Sequence, residues 1–154
     1  MALSSHENGT QGVGSQFASR IAPTQSPLHQ ARHLPGDFYT SQETYELEKE
    51  RIFLRDWLCV GRVEEFEKPG DYLTLCIADE PIMVVRDEDG QLNAFYNVCR
   101  HRSAQVVRED AGNATGFQCF YHDWTYGLDG RCTGIAKPEG YARFTLKKDT
   151  LGLV

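Results

Sequence analysis

Two short patterns constrain this chain more than anything else in it: Cys99-x-His101 and, seventeen residues later, Cys119-x-x-His122. Each pair sets a thiol and an imidazole close together. Each also follows a run of strand-like residues, "LNAFYNV" before the first and "GFQ" before the second. Both pairs therefore belong on loops. In one small β-structure the two loop tips can converge, bringing four donor atoms to one place. A lone C-x-H pair carries little weight, but two mixed pairs at this separation are a strong metal-binding signature.

The flanking sequence agrees with such a scaffold. "WLCVGR", "DYLTLCI", "PIMVVR" and "LNAFYNV" are short runs rich in β-branched and aromatic residues, and "GFQCFYH" and "WTYGL" suggest a further strand pair. Pro69-Gly70, the stretch from Asp87 to Gly90 and Asp129-Gly130 punctuate them as turns. Ahead of the strands, Thr40 and Glu43 fit a capping box. They open an amphipathic helix of about three turns, reaching to about Leu54, with Tyr45, Ile52 and Phe53 on one face. Glu46, Glu48, Lys49, Glu50 and Arg51 fall on its watery side. Residues 1–36, rich in Ser, Gln, Gly and Pro, read as a disordered or loosely held arm. Its His6, His29 and His33 read as solvated. The fold class expected is mainly β, a short helix followed by a small antiparallel sandwich or barrel.

Composition excludes several classes. A net charge of −6 and a pI near 5.3 argue against a nucleic-acid surface, which needs clustered cations. No run approaches the roughly 18 apolar residues of a membrane span, and the N-terminus lacks a signal-peptide core, so a cytoplasmic protein is expected. Five cysteines, an odd number, do not suggest a disulfide framework. Cys59 and Cys76 lie in strand-like runs and are expected to pack as small hydrophobes. Cys132 has no histidine partner at metal-like spacing.

Two thiolates and two imidazoles suit tetrahedral zinc, and they also suit a [2Fe–2S] centre with two Cys on one iron and two His on the other. Structural zinc sites usually pair like with like. Here each loop offers one of each, which suits a cluster held between two loops with each loop serving both irons. Arg100 and Arg102 would add positive charge beside a sulfide-bearing centre, or else form surface salt bridges. Tyr121, Trp124 and Tyr126 are expected to wall the site from water, in keeping with ordinary core packing.

With these residues in view, "CRHR" followed by "CFYHDWTYGLDG" resembles the N-terminal Rieske domain of the α subunit of Rieske non-haem iron oxygenases, the ring-hydroxylating dioxygenases and N-demethylating monooxygenases. The resemblance runs back through "FYTSQETYELEKERIFLRDWLCVGR" and forward to about "RFTLKK", which assigns residues 37–154 to a Rieske domain. It implies that Cys99 and Cys119 bind the inner iron and that His101 and His122 bind the outer one. It also implies that His122 faces a carboxylate leading to the catalytic iron of a neighbouring subunit. Family members often have Gly at the position of Ser103 and Pro at that of Phe120. Ala104 and Tyr121 stand where respiratory Rieske proteins carry an extra disulfide, so the likeness is to the oxygenase branch.

An oxygenase α subunit also needs a mononuclear iron held by two His and a carboxylate. No His follows His122, so that triad cannot come from the C-terminal part, and Val154 falls where the family continues into a further strand. The expectation is a truncated subunit or isolated domain with one sheet edge open. Its role would be one-electron transfer from a ferredoxin or flavin reductase to the iron of a neighbouring α subunit, in a trimer. The catalysis itself would lie in the absent domain. A free-standing Rieske ferredoxin and a zinc-stabilised binding module are the alternatives.

Overall fold

The computed structural model describes residues 17–141 and 147–154, so His6 and most of "RFTLKK" lie outside the described residues. The chain divides into two compact units, Met1–Arg55 and Asp56–Val154.

In the first unit the helix spans Gln42–Glu48. Its N-cap is Ser41, whose Oγ accepts the Thr44 N–H at 3.2 Å, and not Thr40. The side chain one residue later in sequence is the one that reaches the exposed first-turn amide. From Lys49 to Phe53 the helix widens by one residue per turn, with Leu54 N–H bonded to the Lys49 carbonyl. That extra residue rotates the following side chains off the 3.6-residue stripe. Ile52, expected on the apolar face, is accordingly exposed. Upstream, Arg20 pairs with Asp37 and lies over the Phe38 ring, and Phe17 meets Phe38 edge-on at 5.4 Å.

The second unit is built on two antiparallel sheets. β1 (Asp71–Ile77), β2 (Glu80–Arg86), β3 (Leu92–Tyr96) and β4 (Ala111–Asn113) form one, in the order β3-β2-β1-β4. β5 (Phe117–Gln118), β6 (Thr125–Tyr126) and β7 (Cys132–Gly134) form the other. Ala78 and Asp79, both at positive φ, make the two-residue turn that sets Ile77 opposite Glu80. Gly70 opens β1 at φ +87°, where a Cβ would lie 2.0 Å from the Ala114 carbonyl oxygen, so the close pass of β4 requires glycine there. The Asp87–Gly90 turn joins β2 to β3, with Gly90 N–H on the Asp87 carbonyl.

Three expectations are corrected. "WLCVGR" forms no strand; none of its backbone groups enters a ladder among the described residues, and strand propensity without a neighbouring strand does not make one. Cys59 on this segment is therefore exposed and not packed. Cys76 is exposed as well, because its place in β1 points it to the outer face, opposite Pro81. Cys132 does lie in the core.

That core gathers Met83 and Val85 from β2, Val106 and Val107, Phe117 from β5, and Trp124, Tyr126, Leu128 and Leu153. Tyr72 of β1 meets Phe117 edge to face at 5.6 Å, joining the two sheets. Cys99 and Cys119 belong to the same core, so the sheets converge on both cysteine-bearing loops.

Candidate metal centre

The two loops share one backbone design. In the first, Cys99 N–H donates to the Ala104 carbonyl at 2.8 Å, and Ser103 N–H returns to the Cys99 carbonyl at 2.9 Å. In the second, Cys119 N–H donates to the Trp124 carbonyl at 2.8 Å, and Asp123 N–H to the Cys119 carbonyl at 2.9 Å. Each loop turns through one residue at positive φ, Ser103 at +54° and Asp123 at +56°. Glycine adopts that conformation at least cost, so Ser103 keeps the loop geometry of a glycine while bearing some strain.

Each loop is the tip of a narrow antiparallel pair. β5 and β6 carry the second. The first is closed by a single bridge, Val98 to Gln105, and by Asn97, whose side chain is wholly buried. Asn97 Oδ1 accepts the N–H groups of Val106 and Val107 at 3.1 and 2.9 Å, and its Nδ2 donates to the Val107 carbonyl at 2.7 Å. Entry and exit of the loop are thus tied by one amide. Asn97 escaped sequence reasoning because its partners are neighbours only after folding.

The sequence-predicted site residues come together. Cys99 and Cys119 are 2% and 1% exposed. Burial pushes the Cys119 thiol up; backbone N–H groups of Tyr121 and His122 pull it down, and the adjoining Cys99 raises it again. The Cys119 thiol, so buried, resists becoming a thiolate without a cation to neutralise it. Cys99 Sγ lies 3.2 Å from Tyr126 Oη, which also accepts the Arg100 N–H at 3.1 Å. With that amide on the oxygen, the hydroxyl hydrogen is free to turn toward the sulfur. Burial, then Cys99, raise the Tyr126 pKa, so the phenol stays a donor.

The imidazoles of His101 and His122 meet at 4.6 Å between ring centres, tilted by 72°. Trp124 stacks on His101 at 5.0 Å and 4°. Tyr141, forty residues away in sequence, hydrogen-bonds His101 Nε2 at 3.0 Å. The Nδ1 atoms of both histidines are buried without a partner. A buried ring nitrogen left unpaired is costly, and two side by side fit lone pairs meant for a metal. Burial, with the charges of His122 and Arg102, lowers the His101 pKa, favouring the neutral imidazole a metal needs. Among the described residues no three His, Cys, Asp or Glu side chains surround a single ion position. The donors stand instead as a thiol pair and an imidazole pair, an arrangement that suits a two-iron cluster with two Cys on one iron and two His on the other.

The surroundings divide. Trp124 and Tyr126 lie buried beside the site. Tyr121 does not: it is 52% exposed, lying against His122 at 4.0 Å, because its position in the loop turns it outward. Arg100 and Arg102 are exposed, and no ion pair among the described residues involves either. Arg102 lines a cavity of about 430 Å³ at the histidine edge, with His101, His122, Tyr121, Lys137 and Tyr141.

Comparison with known proteins accords with this arrangement. The chain is 43% identical over 111 residues to a benzene 1,2-dioxygenase subunit alpha of Pseudomonas putida, covering 71% of this chain and 25% of that one. It is 40% identical over 115 residues to the glycine betaine monooxygenase oxygenase subunit of Pseudomonas aeruginosa, 75% of this chain and 27% of that. The solved structure of naphthalene 1,2-dioxygenase from Rhodococcus sp. superposes with a TM-score of 0.80 and 30% identity, over 94% of this chain and 32% of that one. The chain thus spans about a quarter of the length of these curated relatives. Residues 56–145 match the family model of the Rieske [2Fe-2S] domain. With its paired loops, buried thiols and unpartnered imidazoles, this chain belongs to the Rieske [2Fe–2S] domain family, and its relatives are Rieske oxygenase α subunits.

Proposed function

We propose that residues 37–154 form the electron-transfer module of a Rieske oxygenase, with Cys99 and Cys119 on one iron of a [2Fe–2S] cluster and His101 and His122 on the other. The observation that carries this reading is the pair of unpartnered buried Nδ1 atoms beside two adjoining buried thiols. When bound, such a cluster supplies a one-electron carrier whose potential depends on its ligands, their hydrogen bonds and burial.

The chain's own residues do the rest. The matched loops hold the four donors at fixed separation. The Tyr126 hydroxyl hydrogen-bonds the Cys99 sulfur, and the loop N–H groups of Tyr121 and His122 face Cys119. Trp124 and Tyr126 keep water from the sulfur side. Tyr141 holds Nε2 of His101, which orients Nδ1 inward. Electrons would come from a ferredoxin or a flavin reductase. They would leave, by way of the histidine edge and a neighbouring subunit's carboxylate, for a mononuclear iron in the catalytic domain of a ring-hydroxylating or N-demethylating oxygenase. A trimer of α subunits is the assembly this route implies. Substrate choice belongs to that catalytic domain; the relatives' names already span an arene and a quaternary ammonium.

The test is electron paramagnetic resonance on the dithionite-reduced protein, with iron and zinc measured on the same sample. The expected result is a rhombic Rieske-type signal with about two irons per chain. A colourless, silent protein holding zinc would replace this reading with a zinc-stabilised module.

A further inference from the structure

His122 is approached from outside by two routes, with Tyr121 common to both. One is the 430 Å³ cavity at the histidine edge. The other is a stack of side chains that leaves the site on the far side of Tyr121. The Tyr121 ring lies against His122 at 4.0 Å, and Phe120 stacks beside Tyr121 at 6.2 Å and 24°. The Arg108 guanidinium caps Phe120, 3.4 Å from its ring centre. Phe120 does not line the cavity, so the outer end of the stack is a surface of its own.

Stability does not account for this stack. Phe120 and Tyr121 are 53% and 52% exposed, so most of their apolar area stays in water. An exposed cation–π pair contributes only about 0.5–1 kcal/mol, against the entropy of ordering a long arginine. Aromatic residues with arginine are instead the side chains enriched where proteins dock.

The charge has a direction. The chain carries 22 acidic against 16 basic residues, yet the stretch from Asn97 to Arg108 has three arginines and no carboxylate. Arg108 makes no side-chain ion pair among the described residues, although Glu109 and Asp110 follow it and the Glu109 carboxylate takes the Arg108 backbone N–H. On the other flank of Tyr121, Arg102 and Lys137 line the cavity, and the Asp123 carboxylate there is engaged by Gln118 Nε2.

We infer that Phe120 and Arg108 form the docking surface for the protein that delivers the electron, and that this partner presents carboxylates. The inference rests on the electron-transfer reading above. A relay that takes an electron from one protein and passes it to another needs two surfaces, and the stack and the cavity provide them. Docked on Phe120, the donor would reach His122 through the Phe120 and Tyr121 rings. The transfer moves one electron and no atoms: the donor is oxidised by one equivalent and the iron site reduced by one.

The test uses the iron-loaded chain and, as probe, an acidic plant-type [2Fe–2S] ferredoxin. Binding is measured by calorimetry with the gallium-substituted ferredoxin, and reduction by stopped flow with the reduced one. The expected result is binding at about 20 mM salt that is largely lost by about 300 mM, as screening requires. Arg108→Glu should weaken it by about tenfold and slow reduction to match, with Phe120→Ala acting in the same direction. Arg108→Lys should restore most of the salt-dependent part. Reduction by methyl viologen radical and the paramagnetic signal should stay as in the unsubstituted chain. If Arg108→Glu disturbs the signal, Arg108→Gln replaces it. An Arg108 variant with an intact signal that binds the ferredoxin as the parent does would overturn the docking surface alone, as would a parent chain whose binding ignores salt. A parent chain with no Rieske-type signal would overturn the electron-transfer reading and this inference with it.

Discussion

The loops Cys99–Ala104 and Cys119–Trp124 are alike in backbone and unlike in surroundings. Both close with the same two hydrogen bonds and turn at a positive-φ residue four places after the cysteine. Yet the histidine stands two places after Cys99 and three places after Cys119. His101 is packed between Trp124 and Tyr141, while His122 lies between His101 and half-exposed Tyr121. One backbone template thus holds two imidazoles that line the same cavity but carry different neighbours. The template fixes where the two Cys/His pairs stand; the side chains packed on it set what lies against each imidazole.

If the loops are equal partners in holding the metal, Cys99→Ser and Cys119→Ser should each abolish cluster assembly, seen as loss of iron and of the paramagnetic signal. Retention of iron in one of them would break the equivalence. The next largest effect separates the loops' surroundings. Trp124→Ala, which empties a buried site stacked on His101, should cost about 3–5 kcal/mol in urea unfolding, whereas Tyr121→Ala should cost less than about 1 kcal/mol. Similar losses for both would mean that Tyr121 is packed after all. The smallest effect probes the turns. Ser103→Gly should stabilise by about 0.5–1 kcal/mol by relieving the left-handed backbone. Asp123→Gly should gain almost nothing, because aspartate tolerates that conformation better and here also binds Gln118. Equal gains would show that the side-chain bond adds nothing to the second turn.

The legible part of the fold was the part with local causes. "DYLTLCI" became β1 to the residue, since Pro69-Gly70 stops the chain before it and a two-residue turn ends it. "WLCVGR", with equal strand character, stayed unpaired, because a strand exists only where another backbone lies beside it. β4, with the sequence Ala-Gly-Asn, showed no strand signal at all; it pairs because the chain leaving the first loop is carried alongside β1. The helix cap was read one residue early, and the widened turn after Glu48 had no signature in the periodicity.

At the site, spacing alone marked four candidate ligands, because metal chemistry limits which side chains can serve and loops keep such pairs together. What braces them could not be read that way. Tyr141 reaches His101 from forty residues away, and Asn97 ties the two ends of a loop it only precedes in sequence. Tyr121 and Trp124 sit three places apart and looked alike, yet one faces water and the other the core. The sequence by itself carried the two Cys/His motifs, the family they mark and the turns at Asp87–Gly90 and Asp129-Gly130, all consequences of residue type and short spacing. Only the tertiary structure decided which aromatic shelters which histidine, since that depends on where two sheets bring distant parts of the chain together.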